Sequence, residues 1–226
     1  MKKKIVSLLS AFAATFALLG PAPASATVLT TDWQSASFNF SSVNASANLA
    51  FDGFNSSLGS LIGVVIKFTL NEVLNDRAFN FSDSPAQVGA PNPVSATSTI
   101  TASGPLGLTS VNQLTTPGYT GTVASGLTTI GSASLTNFLV GPVQLNGNPV
   151  SLANYIGGTN SVTIAMTGAG TQNGSLSPDV MTGYLGTASG IVYLQYIYAI
   201  PEPAAIAVFA MGLLLLSVAM WRRRQQ

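Results

Sequence analysis

The sequence predicts an all-β protein: a single antiparallel β-sandwich, jelly-roll-like, set between an N-terminal signal peptide and a C-terminal transmembrane helix. Three observations predict it. Apolar residues recur with a period of two along several stretches, as in Ile62, Val64, Ile66, Phe68 and Leu70. Turn-forming groups such as Asp52-Gly53, Pro91-Asn92-Pro93, Asn146-Gly147 and Gly157-Gly158 punctuate them. No stretch between the two ends carries a long period of 3.6. The expected division is residues 1–26, a body of 27–199, and a tail of 200–226 with its helix at 204–221.

The first 26 residues read as a secretory signal. Lys2, Lys3 and Lys4 precede a mostly apolar run, Ile5 to Leu19, and Gly20-Pro21 breaks it. Ala24-Ser25-Ala26 then offers signal peptidase a small residue at Ala24 and at Ala26. Ala22-Pro23-Ala24 is a competing site that its proline disfavours, and an uncleaved anchor is the other alternative.

Along the body, Gln34 to Phe40 alternates with Ala36, Phe38 and Phe40 on one side. Ile62 to Leu70 alternates with its even-numbered residues toward a core, and Arg77 to Phe81 repeats the pattern briefly. Weaker strands are expected at 97–102, 121–125 and 128–135, and a clearer one at Val162, Ile164 and Met166. Leu152 to Ile156 suits one short helical turn. Ile191 to Tyr198 is apolar or aromatic on both faces except at Gln195, the pattern of a central, buried strand.

Charge and composition exclude several functions. Outside the two ends the only cations are Lys67 and Arg77, against Asp32, Asp52, Glu72, Asp76, Asp83 and Asp179. A body with that balance cannot neutralise phosphates, so nucleic acid is excluded as a partner. Histidine and cysteine are absent, which removes serine–histidine triads, thiol nucleophiles, disulfides and the usual zinc sites together. No pattern asks for a cofactor or a metal. The body is instead rich in Ser, Thr, Asn and Gly, a composition suited to hydrated polysaccharide and equally ordinary for an exported β protein.

The remaining candidates for chemistry are few. Tyr193, Tyr196 and Tyr198 are possible glycan contacts; on a strand the last two point one way and Tyr193 the other. Tyrosines of a buried terminal strand are also ordinary core residues with hydroxyls at the rim. Trp33 and Tyr184 are further stacking candidates. Asp76 and Asp83, near Glu72, are the carboxylates a Ca²⁺ site would use, although isolated aspartates more commonly cap loops. A glycosidase needs two facing carboxylates, and Glu72 is the body's only glutamate. Thr97, Thr99 and Thr101 form a short threonine row.

The tail opens with Pro201-Glu202-Pro203, continues without a charge from Ala204 to Met220, and closes on Trp221 and Arg222, Arg223 and Arg224. As a helix the uncharged run spans roughly 25 Å, the short end of what crosses a bilayer. The prolines suit its first turn, Trp221 suits the interface, and the arginines hold that end in the cytoplasm as a stop-transfer signal. The alternative is a hydrophobic helix inside a globular domain, against which three arginines abutting its end weigh. In this order the residues resemble the PEP-CTERM sorting signal of Gram-negative bacteria. That resemblance implies an exosortase-type membrane protease that cuts near Pro201–Pro203. The body would be periplasmic and transiently held at the inner membrane, then move to the cell surface or exopolysaccharide matrix.

Phe51-Asp52, Leu58-Gly59-Ser60-Leu61 and the strand from Ile62, with Tyr193 to Tyr198 at the close, resemble the choice-of-anchor E domain. The segment Gly53 to Ser57 is longer than that family's spacing. The resemblance implies an extracellular β domain and no particular activity. The expected function is thus a non-enzymatic surface or matrix protein, with a polysaccharide-binding module as the alternative and a cryptic hydrolase as the third reading.

Overall fold

The computed structural model describes residues 26–172, 176–201, 213 and 217. They belong to two compact units, Thr30–Tyr198 and a second one made of the two chain ends. The strands are β1 (Ala26–Thr30), β2 (Gln34–Phe40), β3 (Ala45–Asp52), β4 (Ser60–Asn80), β5 (Ala86–Val88), β6 (Val94–Ser103), β7 (Thr109–Thr115), β8 (Gly121–Val123), β9 (Gly126–Asn146), β10 (Thr159–Gln172) and β11 (Val180–Pro201).

In the larger unit one sheet runs β11-β4-β9, with β2 also on β11; a second runs β3-β10-β6-β7; β5 and β8 form a small ribbon. The pairs β2/β11, β4/β9, β3/β10, β10/β6, β6/β7 and β5/β8 are all antiparallel. The inner faces of the two sheets share one core. Phe38 and Phe40 of β2, Ile66 and Phe68 of β4, and Val192 and Leu194 of β11 meet Leu49, Phe51, Ile100, Val162 and Ile164 of the other sheet. This is the arrangement of a β-sandwich.

β2 matches its expectation residue for residue, with Phe38 and Phe40 buried. β4 is longer than expected: the two alternating runs join into one strand of 21 residues. From Val64 to Asn80 every even-numbered side chain is buried, which carries Glu72, Asp76 and Asn80 inward along with the aliphatic residues. Phe79 and Phe81 face outward, 40% and 62% exposed. At the start of the strand Leu61 is buried and Ile62 only half-buried, so the even phase begins at Val64.

β9 extends far beyond the expected 128–135. Its register against β4 shifts at three places, and each time the extra residue is on β9. One shift includes Asn137, whose φ is 49° and whose amide donates to Asn71 Oδ1 at 2.9 Å. β4 therefore keeps its alternation while β9 loses its own. Only Ile130 and Val140 of β9 are buried. A bulged strand at the edge of the sheet order leaves little periodicity to read.

β11 neighbours β4 and β2, as its composition suggested. Val192, Leu194 and Tyr196 are buried, while Ile191 on the opposite face is 38% exposed. Gly190 sits where a side chain cannot: a Cβ there would lie 1.9 Å from the backbone oxygen of Thr69 on β4. Gly190→Ala is expected to destabilise the protein by about 3 kcal/mol through overpacking, read as a lower urea midpoint at unchanged slope. The 152–156 turn is present as a 3-10 turn at Ala153–Tyr155.

Ala26 is the first residue of β1, and β11 runs on to Pro201. Ala24, Glu202, Pro203 and Arg222–Arg224 lie outside the described residues, as does the expected helix at 204–221 apart from Leu213 and Ser217, which are helical. Among the described residues no helix is long and apolar enough to cross a membrane, which says nothing of β-barrels.

Candidate functional site

The three tyrosines nearest the carboxy-terminal end of β11 divide as the strand geometry requires. Tyr196 is 1% exposed. Its hydroxyl donates to the Asp52 carbonyl at 2.7 Å and accepts from Asn160 Nδ2 at 2.7 Å. Its ring packs against Phe54, centroids 5.8 Å apart. Burial pushes the phenol up to about 12; the Asn160 hydrogen bond opposes this and the nearby Asp52 carboxylate adds to it. Tyr196 is therefore withdrawn as a glycan contact, because no face of its ring is available. Tyr198 is half-buried on the same side and also packs on Phe54, at 5.6 Å.

Tyr193 points the other way and joins a cluster that the sequence left scattered. Trp33, 36% exposed, meets it edge to face at 6.4 Å and 86°. Lys67 places its Nζ 4.0 Å from the Trp33 ring centroid and 5.4 Å from that of Tyr193. This is a cation–π cluster on the outer face of the β11-β4 sheet. Its two rings are perpendicular, so they cannot both lie flat on one sugar.

A second constellation crosses the interior. The buried apolar residues form two clusters, one around Phe68, Ile100 and Leu194, the other around Ala78, Val88, Val94 and Val180. Between them runs a polar seam. On β4, Glu72 and Asp76 separate Leu70 of the first cluster from Ala78 of the second. On β6, Ser98 separates Ile100 from Val94, and its hydroxyl donates to Glu72 Oε1. Glu72 Oε2 and Asp76 Oδ2 are buried with no hydrogen-bond partner. Burial raises both carboxyls above their usual range; the Ser98 hydroxyl opposes this at Glu72, and the Arg77 backbone at Asp76.

β11 bridges the seam with Tyr184, whose hydroxyl donates to the Gly168 carbonyl of β10 at 2.8 Å. The ring needs glycine opposite it: a Cβ on Gly168 would come within 2.4 Å of Tyr184 Cε2, and one on Gly170 within 3.2 Å of Cδ1. Asp76, Ser95, Gly170, Thr171, Thr182 and Tyr184 are among the residues lining a cavity of about 170 Å³ at this edge of the sandwich. The sequence signal for the slot was Thr167-Gly168-Ala169-Gly170, glycines at every second position of a strand, which marks a close approach.

The outer face of the second sheet is uncharged along its centre. Ser95, Thr97, Thr99, Thr101 and Ser103 alternate outward along β6. Thr97 pairs with Thr115 at 3.0 Å between hydroxyls, and Ser95 with Thr171 at 2.7 Å. The expected threonine row is thus part of a wider hydroxyl-bearing face. The carboxylates of the Ca²⁺ reading do not gather: among the described residues no three acidic side chains are grouped to hold a metal.

No family model matches the chain, and no curated protein does. Among solved structures it is similar to the VP2 subviral particle of infectious bursal disease virus, at 16% identity over 80% of this chain and 41% of that chain, with a TM-score of 0.26. It is similar to the Gx strain of that virus at 13% identity over 88% of this chain and 49% of the other, TM-score 0.23. A mud crab tombus-like virus structure shares 11% identity over 81% and 87%, TM-score 0.20. This chain thus spans less than half the length of the first two. The fold described above rests on its own strand pairing and burial.

Proposed function

We propose that this chain is an exported bacterial surface or exopolysaccharide-matrix protein without catalytic activity: a jelly-roll-like sandwich carried out by its signal peptide and sorted by its PEP-CTERM tail. The observation that carries the reading is the tripartite order of the tail: Pro201-Glu202-Pro203, an uncharged segment, and Arg222–Arg224. The body is compatible with it, being poor in charge and stabilised by strand pairing without a disulfide. Signal peptidase and an exosortase-type protease are the implied partners, and the inner membrane is a transient one.

The test is processing. With a tag after Gln226, the full chain is expected in the inner-membrane fraction first, and later as a tag-free body at the surface. Changing Pro201-Glu202-Pro203 to alanines is expected to trap the tagged form in the membrane. A tag that stays on a water-soluble protein and never enters membrane fractions would refute the proposal.

Polysaccharide binding is the second reading, and the Trp33–Tyr193–Lys67 cluster favours it. Tyr193 remains the glycan contact of that reading, now with Trp33 beside it. Trp33→Ala is expected to weaken retention on exopolysaccharide affinity gels about tenfold, the scale of one lost aromatic contact. The hydrolase reading loses support from strand geometry. Glu72 and Asp76 are four residues apart on one strand, so their Cα atoms are roughly 13 Å apart, beyond the about 5–9.5 Å that separates glycosidase carboxyls.

A further inference from the structure

We infer that the groove beside Arg77 is a binding site for a fatty acid, with one acyl chain laid against its apolar walls and the carboxylate on the Arg77 guanidinium. This goes beyond the sorting reading and does not depend on it, and it involves no residue of the Trp33 cluster.

Large apolar side chains gather on the outer face where β4, β9 and β11 run side by side. Phe79 of β4 stands opposite Leu127 of β9, and the Phe79 and Phe81 ring centroids are 4.6 Å apart. On β11 Met181 and Leu185 lie on one face with Gly183 between them. Phe81, Leu127, Met181 and Leu185 are each more than half exposed. Apolar residues exposed singly need no explanation, but a contiguous group of this size marks an interaction site. Gly183 keeps the middle open, since a Cβ there would meet nothing within 4 Å. Arg77, Phe79, Leu127, Met181 and Leu185 are among the residues lining the resulting groove of about 330 Å³. That is the low end of the roughly 300–1,000 Å³ of ligand pockets, room for one chain.

Arg77 selects the occupant. It is half-buried, and among the described residues its guanidinium makes no ion pair and no hydrogen bond. Only Nε is both buried and unpaired, so the two terminal nitrogens reach solvent. They present the planar fork that takes a carboxylate through two parallel hydrogen bonds. Lys67, the other cation of the body, lies over the Trp33 ring, and no carboxylate lines the groove. A wholly apolar occupant would strip water from the guanidinium and replace it with nothing. A second copy seated on the same face would bring a second Arg77 and no anion. A sugar acid would meet the cation, but Phe79, Leu127, Met181 and Leu185 offer its hydroxyls no hydrogen-bonding side chain. A fatty acid satisfies both parts, its chain covering the apolar walls and its head pairing with Arg77.

The experiment is photolabelling of the full-length chain, held in phosphatidylcholine nanodiscs, with a decanoate that carries a diazirine on its chain; adducts are mapped by peptide mass spectrometry. Saturable labelling is expected in the peptides that contain Phe79, Leu127 and Met181–Leu185. Excess decanoate is expected to remove it, and decanol, which lacks the charge, to leave it. Arg77→Gln is expected to weaken labelling of these peptides about tenfold or more. Gly183→Leu, whose side chain enters open space, is expected to block labelling with the urea midpoint no lower than the parent's. The inference is overturned if these peptides stay unlabelled, if decanol competes as well as decanoate, or if Arg77→Gln or a folded Gly183→Leu labels like the parent. It is also overturned if phosphatidylglycerol vesicles protect the peptides and decanoate does not, which would make the face a bilayer contact. None of these outcomes bears on tail processing, so the two proposals fail separately.

Discussion

Tyr196→Ala is expected to destabilise the protein by about 3–5 kcal/mol, the range of large aromatic truncations in a core. The ring fills space against Phe54, and the space would not refill, because Phe54 is itself pinned. The Phe54 amide donates to the Tyr155 carbonyl at 2.7 Å. Beside it Gly53 lies so close to Gly157 that a Cβ would sit 2.1 Å from the Gly157 oxygen. Tyr196→Phe separates the hydroxyl from the ring. It leaves the Asp52 carbonyl without the donor at 2.7 Å and removes one acceptor from Asn160, a loss of about 1–3 kcal/mol. Urea unfolding measures both. If Tyr196→Ala kept its stability and lost glycan retention instead, the core assignment would be wrong. The contrasting variant is Tyr193→Ala, on the opposite face of the strand, whose stability is expected to fall by less than about 1 kcal/mol.

Stability is expected to fall as pH rises from mildly acidic to neutral, and Glu72→Gln with Asp76→Asn is expected to flatten that dependence. The folded state raises both carboxyls above their ordinary 4.5 and 3.8, through burial first. Each group then holds its proton more tightly folded than unfolded. The stability this supplies is fully present below the ordinary values and is lost as pH rises through the raised ones. Above that window each amide variant is expected to exceed the parent by about 1–3 kcal/mol, the scale of burying an uncompensated polar group. The measurement is the urea midpoint from pH 4 to pH 8. A parent whose stability climbs over that range, unchanged by the amides, would mean that both carboxylates are ionised and well paired in the fold.

Much of this protein was legible before any coordinates. Strand β2 could be read residue by residue because its inner positions are aromatic and its outer ones polar. The opposed directions of Tyr193 and Tyr196 followed from period two alone. What the sequence by itself determined is local: alternation, turn chemistry, the absence of histidine and cysteine, and the charge pattern of both ends, each readable from neighbouring residues.

The tertiary structure alone decided the rest. It fixed the length of β9, because three bulges erase an edge strand's periodicity while its partner keeps its own. It turned Phe79 and Phe81 outward and Asp76 and Glu72 inward, because β4 runs as one strand whose alternation, set from Val64 on by the larger core, carries through to Asn80 while every extra residue falls on β9. It brought Asp76 of β4, Thr171 of β10 and Tyr184 of β11 to one cavity across more than a hundred residues of chain. Only the packing of one sheet on the other creates such proximity, and packing is a property of surfaces that no single stretch of sequence contains.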